Sequence, residues 1–365
     1  MLNYGSHYID EQDINSVVKA LRSKKITQGE NVKKFETNLS KKFGSKKASV
    51  LSSGTAGLHL CGKALGWKKN DIILTTPISF ASTSNAILYS GAKPDFVDID
   101  LKTLNIDINI LEDRIKFYRK KNKKIKSVIA IDYAGNPCDW KNINYLAKKY
   151  NFSTINDNCH SIGSKYLKSE KYAVKYADLV VHSYHAVKNI TTGEGGAVLS
   201  NNTNLIDKIE SLRTHGLTYY KNNNNSKFYD MKDLGFNYRL TDFQSALGIS
   251  QLKKLNIFLK KRRKIAKIYN KHFLINENFI IPPVGSLNEH GYHLYPLQIN
   301  FKKLKISKTL LFKKMKKKNI NLQCHYMPIY QHSYYKKNFY FEKKKNLLIL
   351  RFFLNEKYLC QFFIA

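Results

Sequence analysis

A single lysine follows a strand-like segment and precedes a glycine-rich turn. The apolar run at residues 180–183 ends in a hydroxyl, Lys188 comes five residues later, and residues 191–196 contain three glycines. An amine at a strand end, beside backbone that a ligand can approach closely, is a candidate for Schiff-base chemistry. A lone lysine is more often a solvated surface residue, so this assignment depends on the motifs around it.

Two other strand ends carry groups that suit the same chemistry. Asp157 and His160 follow an apolar segment, and residues 53–56, Ser-Gly-Thr-Ala, join a strand to a helix. The first turn of a helix offers unpaired N–H groups to a phosphate, although a simple helix cap uses the same residue types. A phosphate site, a carboxylate and an amine match the phosphate, ring nitrogen and aldehyde of pyridoxal phosphate.

The elements that must position these groups alternate along the chain. Strand-like and helical segments follow one another from residue 48 onwards, which predicts an α/β fold with a doubly wound, mostly parallel sheet. We place a large domain at residues 1–250 and a smaller α+β domain at residues 251–365. Residues 214–232, which include four consecutive asparagines, are predicted to form a polar loop. Phe80 lies at a strand-to-helix turn, where it would stack on a flat ring or belong to the core.

Composition narrows the range of partners. The 365 residues carry a formal charge of +35, and only 8 of the 62 lysines and arginines are arginine. Arginine is the residue whose fork reads phosphates and bases, so the lysine excess indicates biased codon usage and no specific nucleic-acid surface. A basic nucleic-acid binder is the least favoured alternative. The positive field should still attract anionic substrates such as nucleotide diphosphates.

Cysteine usage and hydropathy indicate a cytoplasmic protein. The five cysteines have no paired spacing and form no zinc-ligand pattern, so we expect reduced thiols and no metal. The N-terminal residues do not resemble a signal peptide, and no apolar run approaches the ~20 residues of a membrane span.

Several short motifs occur in a specific order. They lie at residues 27–29, 53–56, 76–80, 157–160, 183–196, 213–216, 237–242 and 325–326. Together they resemble the DegT-type (DegT/DnrJ/EryC) sugar aminotransferases, which are pyridoxal-phosphate enzymes of the aspartate-aminotransferase fold. The resemblance covers roughly residues 1–335. Relatives with histidine at the lysine position are dehydratases, and Lys188 argues against that branch.

The resemblance implies roles around the cofactor ring. Lys188 would hold pyridoxal phosphate as a Schiff base and, once released, move the substrate's proton. Asp157 would pair with the ring nitrogen and keep it protonated, which makes the ring an electron sink. Phe80 would stack on one ring face, and His160 would contact the phenolic oxygen.

The resemblance also implies where the phosphate and the sugar bind. The backbone N–H groups of Thr55 and Ala56, with the Ser183 hydroxyl, would bind the cofactor phosphate. Asn237 and Arg239 would reach the phosphate in the partner subunit, so the active site would lie at a homodimer interface. The residues expected in the sugar-nucleotide pocket are Thr27, His325 and Tyr326.

Within the family, the motifs are most similar to members that act in pseudaminic acid biosynthesis. This similarity implies transfer of an amino group from L-glutamate to C4 of a UDP-linked 4-keto-6-deoxy-N-acetylhexosamine. A bacillosamine or perosamine precursor is an alternative acceptor. A catalytically silent family member is a second alternative.

The chain departs from the family pattern at two places. Asn156 stands where the family has an acid, and Asn158 stands where it has a small residue, so Asn158 would crowd the ring or turn aside. The apolar segment after about residue 345 lacks the expected C-terminal helix and follows three consecutive lysines. We interpret it as the product of a frameshift in an A-rich tract, which would leave an aggregation-prone tail and a damaged small domain.

Overall fold

The computed structural model describes residues 2–3, 5–221, 227–283, 288–339 and 357–362. The strands are β1 (Lys47–Leu51), β2 (Ile72–Thr75), β3 (Lys93–Phe96), β4 (Ile125–Ile131), β5 (Ser153–Asp157), β6 (Leu179–Ser183), β7 (Gly196–Ser200), β8 (Leu217–Lys221), β9 (Lys227–Met231), β10 (Phe279–Ile280), β11 (Tyr295–Asn300) and β12 (Lys357–Phe362). The helices are α1 (Glu11–Leu21), α2 (Glu30–Phe43), α3 (Gly54–Ala64), α4 (Ala81–Tyr89), α5 (Ile108–Lys120), α6 (Trp140–Tyr150), α7 (Tyr172–Tyr176), α8 (Thr203–Leu212), α9 (Asp242–Phe273), α10 (Phe301–Leu304), α11 (Lys308–Lys317) and α12 (Ser333–Asn338).

A seven-stranded sheet forms the centre of the large domain. Its strand order is β1-β7-β6-β5-β4-β2-β3, and β7 runs antiparallel to both of its neighbours while all other neighbouring pairs are parallel. Apolar residues of α3, α4 and α8 cover one face, and those of α2, α5, α6, α7 and α9 cover the other. The predicted doubly wound, mostly parallel sheet is therefore confirmed. The carboxyl ends of β1, β2, β4, β5 and β6 meet at one edge, where open α/β sheets bind ligands.

The start of α9 caps α2. The Asp242 carboxylate accepts hydrogen bonds from the Asn31 side chain (2.7 Å) and the Val32 N–H (3.1 Å). A Cβ atom on Gly29 would lie 2.6 Å from this carboxylate, so a side chain there would displace the carboxylate from its hydrogen bonds to α2. The turn at residues 27–29 is thereby fixed beside the first turn of α9.

A second, three-stranded antiparallel sheet, in the order β10-β11-β12, lies in the C-terminal part of the chain. Helix α9 runs without a break through the predicted domain boundary at residues 250 and 251, and that boundary stays a prediction. The backbone of β12 pairs with β11. The rest of the tail that we interpret as frameshifted lies outside the described residues, so that interpretation also stays a prediction.

The prediction of a polar loop at residues 214–232 was wrong. Strands β8 and β9 pair antiparallel there, and the rings of Tyr220 and Phe228 stack with centroids 6.0 Å apart. Aromatic residues on both sides of the asparagine run favour a hairpin, and this outweighs the polarity of the turn. The turn itself, at residues 222–226, lies outside the described residues.

In the part of the chain that the structure describes, no helix combines the length and the apolar character needed to cross a membrane.

Candidate active site

A cavity of about 380 Å³ opens at the carboxyl edge of the large sheet. Its walls come from the turns that follow the strands and from segments of the C-terminal part of the chain. Most of the predicted site residues line it, namely Thr55, Phe80, Asp157, His160, Ser183, Lys188, His325 and Tyr326. Side chains far apart in sequence therefore meet in one cavity of the size that small-molecule sites have.

Lys188 lies on the cavity wall in the turn after β6. Its Nζ is 3.5 Å from Nε2 of His293. Burial lowers the pKa of the Lys188 ammonium below its ordinary value, and the Asp157 carboxylate opposes only part of this shift. A larger fraction of neutral amine results, and the neutral amine is the form that attacks a carbonyl or accepts a proton.

Asp157 is buried at the end of β5 and is held by a chain of hydroxyl groups. Thr83 donates from Oγ1 to Oδ2 of Asp157 at 2.8 Å, and Ser79 contacts the same Thr83 hydroxyl at 2.7 Å. The N–H of Cys159 donates to Oδ1 at 3.3 Å. These bonds fix the carboxylate against the cavity floor.

The start of α3 forms a cradle beside Ser183. Ser53 caps the helix by accepting a hydrogen bond from the Ala56 N–H at 3.0 Å. A Cβ atom on Gly54 would lie 2.9 Å from Cβ of Ser183, and one on Gly196 would lie 2.5 Å from the Ser53 carbonyl group. Because both positions are glycine, the positive end of α3 packs directly against the ends of β6 and β7 and opens into the cavity.

Three histidines surround the lysine. Burial lowers the pKa of His160 and His293 well below its ordinary value and that of His325 to about 4, and the charge on Lys188 adds to each shift. Nδ1 of His160 accepts a hydrogen bond from the Ala134 N–H at 3.3 Å, so the neutral ring carries its proton on Nε2. That Nε2 lies 3.2 Å from the Tyr326 hydroxyl. All three rings are neutral at pH 7.

The aromatic side of the cavity is open. The Phe80 side chain is 59% exposed, and its ring centroid lies 6.1 Å from that of Tyr326. The Tyr326 ring in turn stacks on His160. An exposed phenylalanine that lines the same cavity as a carboxylate and an amine leaves an apolar surface for a flat ring.

Four of the predicted residues do not line this cavity. Ala56 is buried behind it, with its N–H directed to Ser53 Oγ. The others lie on a neighbouring surface, where isolated bridges pair Thr27 with Thr241, Arg239 with Leu51 and Asn237 with Thr214. The role of Asn237 and Arg239 in a partner subunit's site stays a prediction.

Sequence reasoning missed two residues that contact the central groups. Thr83 lies three residues beyond the motif at residues 76–80, and its position one helical turn after Ser79 is a local signal for a contact between the two hydroxyls. His293 lies outside the motifs described above, so no role was predicted for it. Its contact with Lys188 joins residues 105 positions apart, which no local pattern reveals.

The arrangement fits pyridoxal phosphate. The helix start beside Ser183 suits a phosphate, Asp157 suits a protonated ring nitrogen, and Lys188 suits an aldehyde. Two of these three groups open directly into the cavity: the start of α3 beside the Ser183 hydroxyl, and the desolvated Lys188 amine beside neutral His293.

The buried histidines predict how stability depends on pH. Below pH 6.5, the ordinary histidine pKa, His293 binds a proton in the unfolded chain but stays neutral in the folded protein. The free energy of unfolding therefore falls as the pH falls from 6.5. Each such histidine contributes a slope of about 1.4 kcal/mol per pH unit. We expect His293→Gln to make the dependence of the free energy of unfolding on pH shallower between pH 6.5 and 5, by the contribution of about one proton. Urea unfolding of the apoprotein at several pH values measures this slope for the variant and for the wild-type protein. An unchanged slope would show that His293 is protonated in the folded state.

Comparison with known proteins gives consistent results. The model of the DegT/DnrJ/EryC1/StrS aminotransferase family matches residues 7–347. The UDP-4-amino-4,6-dideoxy-N-acetyl-beta-L-altrosamine transaminase of Campylobacter jejuni is 43% identical over 337 residues, which is 92% of this chain and 86% of the relative.

Solved structures extend the similarity to the fold and the cofactor. PseC of Helicobacter pylori, an aminotransferase of pseudaminic acid biosynthesis, superposes with a TM-score of 0.88 at 34% identity and covers 99% of this chain and 94% of its own. The pyridoxal-phosphate form of the Spr1654 sugar aminotransferase of Streptococcus pneumoniae has a TM-score of 0.87 at 25% identity, covering 99% of this chain and 93% of its own. The chain therefore belongs to the DegT/DnrJ/EryC1/StrS family of pyridoxal-phosphate-dependent sugar aminotransferases.

Proposed function

We propose that this sugar aminotransferase moves an amino group from L-glutamate to C4 of a UDP-linked 4-keto-6-deoxy-N-acetylhexosamine in pseudaminic acid biosynthesis. The observation that carries the proposal is the meeting of Lys188, Asp157 and Ser183 in one cavity, in a chain 43% identical to a transaminase of such a sugar. A catalytically silent protein has no need to keep a buried lysine and a buried carboxylate together, so this alternative loses support.

The chemistry divides between the cofactor and the chain. Pyridoxal phosphate, when bound, carries the amino group between the two substrates and withdraws electrons from the reacting carbon. Asp157, oriented by Thr83, would hold the ring nitrogen in its protonated form. The neutral Lys188 amine would accept the proton from Cα of glutamate, and the second half-reaction would return a proton to C4 of the sugar.

The remaining cavity residues would bind and orient. The α3 N-terminus, with Thr55, Ala56 and the Ser183 hydroxyl, would hold the phosphate, although the Ala56 N–H must then leave Ser53 Oγ. Phe80 would cover one ring face and His160 would donate from Nε2 to the phenolic oxygen. His325 and Tyr326, on the open side, would contact the sugar nucleotide.

The proposed acceptor predicts a specific product. The purified enzyme with pyridoxal phosphate, L-glutamate and the UDP-linked 4-keto-6-deoxy-N-acetylhexosamine should form the 4-amino sugar, identified by mass and by NMR of C4. Lys188→Ala should form none, because no other described lysine lines the cavity.

Parallel reactions with bacillosamine-type and perosamine-type keto sugars provide the comparison. A higher kcat/KM for either of these sugars would contradict the proposed acceptor and leave the family assignment intact. Replacing L-glutamate with L-aspartate or L-alanine tests the donor in the same assay.

We also propose that the enzyme is a cytoplasmic homodimer whose sites are shared between subunits. The hairpin β8–β9 and the segment after it expose a set of large apolar side chains, which are Tyr220, Phe228, Tyr229, Met231 and Leu234. Exposed apolar surface of this kind supports burial against a second copy. Arg239 and Asn237 lie near it in sequence and outside the protomer's own cavity, as residues that serve a partner would.

Mixing two inactive variants tests the shared site. Lys188→Ala and Arg239→Ala should each lose activity as homodimers. After subunit exchange, half of the dimers would be mixed and each would contain one intact site, so the mixture should regain about a quarter of wild-type activity. The control mixes Lys188→Ala with Asp157→Asn, two residues of one protomer's cavity, and should regain none. If neither mixture regains activity, Arg239 does not contribute to the partner subunit's site, and the proposal of a shared site is contradicted.

A further inference from the structure

A completely buried carboxylate lies directly behind Asp157. Asp132 follows β4, and its side chain is inaccessible to solvent. Oδ1 accepts hydrogen bonds from the Cys138 N–H at 2.7 Å and from Nε1 of Trp140 at 2.8 Å. Neither donor is a cation, so hydrogen bonds alone must compensate for removing this carboxylate from water.

The second oxygen of Asp132 receives three more hydrogen bonds. Oδ2 accepts from the side-chain amides of Asn156 (3.0 Å) and Asn158 (2.9 Å) and from the Tyr172 hydroxyl (2.6 Å). The Asn158 amide also donates to the Tyr172 oxygen at 2.9 Å. The Asn158 side chain has therefore turned aside from the cavity, so it does not crowd the site of the cofactor ring.

The two asparagines are the immediate neighbours of Asp157. Side chains alternate along the end of a strand, so Asn156 and Asn158 point to one side and Asp157 points to the other. The Asp132 N–H also donates to the Asp157 carbonyl at 3.2 Å. Residues 156, 157 and 158 are consequently all hydrogen-bonded to Asp132, while the Asp157 carboxylate itself accepts from the Thr83 hydroxyl.

We infer that Asp132 is a positioning residue for Asp157: through Asn156 and Asn158 it fixes the strand end from which the Asp157 carboxylate meets the cofactor's ring nitrogen. The inference rests on the proposed role of Asp157. It assigns to Asp132 a contribution to cofactor affinity and to ring protonation, although Asp132 does not line the cavity.

The number of donors explains why a carboxylate is needed. An ionised carboxylate is an acceptor only and can take all five hydrogen bonds. An asparagine would keep one carbonyl oxygen but turn an NH₂ group toward Asn156, Asn158 and Tyr172, which are all donors here. The two asparagines would then have to move, and Asp157 would move with them because it shares their backbone.

Asp132→Asn tests the inference, with pyridoxal phosphate as the probe and no substrate present. We expect roughly tenfold loss of cofactor affinity, which corresponds to the loss of about one buried hydrogen bond, measured by fluorescence quenching. We also expect the pH at which the visible band of bound pyridoxal phosphate changes to shift in the same direction as in Asp157→Asn, measured in parallel. Neither readout involves amino transfer, so a wrong sugar or donor would leave the result valid.

Asp95→Asn is the matched control. Asp95 is also a buried carboxylate, accepting from Nε of Arg114 (2.5 Å) and from the Tyr118 hydroxyl (2.9 Å), but it belongs to the β3 edge and does not line the cavity. Its loss should lower the melting temperature without moving the pH of the spectral change. The inference is overturned if Asp132→Asn also lowers only the melting temperature and leaves the pH of the spectral change as it is in the wild-type protein.

Asn158→Ala provides a second test that does not depend on the folding of Asp132→Asn. It removes one of the two links between Asp132 and the strand end and leaves the carboxylate four donors. A shift of the spectral titration smaller than that of Asp157→Asn and in the same direction supports the inference. A titration identical to wild type, with cofactor affinity unchanged, contradicts it.

Discussion

The desolvation of one amine is the constraint on which the rest of the site depends. Lys188 must be neutral to react, and burial beside uncharged imidazoles disfavours its ammonium form. The Asp157 carboxylate favours the ammonium form, but burial has the larger effect and the pKa of Lys188 stays below its ordinary value. The chain therefore places neutral His293 at Nζ and keeps the Asp157 carboxylate occupied by Thr83 and the Cys159 N–H.

The fold satisfies this constraint by combining two parts of the chain. The large sheet supplies the lysine, the carboxylate and the helix start at adjacent strand ends, so their spacing is set by backbone hydrogen bonds. The C-terminal part supplies His293, His325 and Tyr326, which close the cavity from the other side. Arg262, buried in α9, donates to the carbonyl groups of Tyr292 and His293 and so fixes them to a helix whose preceding turns pack on the large sheet.

Sequence alone predicted the groups that follow strands and missed those that act through long-range contacts. Lys188, Asp157 and Ser183 were identifiable because each stands beside an apolar run that must become a buried strand. Sequence reasoning gave no role to Thr83 and Asp132, because their hydrogen bonds to Asp157 and Asn158 join different elements. The spacing of Thr83 from Ser79 does not show which carboxylate Thr83 meets. The hairpin after α8 was missed because the prediction of a loop relied on the polarity of four consecutive asparagines. It gave too little weight to the aromatic residues on both sides, which favour strands.

The most direct measurement is the covalent position of the cofactor. The holoenzyme is reduced with borohydride, digested, and searched by mass spectrometry for a pyridoxyl group among its 54 lysines. The account predicts one modified residue, Lys188, and loss of the label after incubation with L-glutamate before reduction. A label spread over surface lysines, or located at a single lysine outside the cavity, would contradict it.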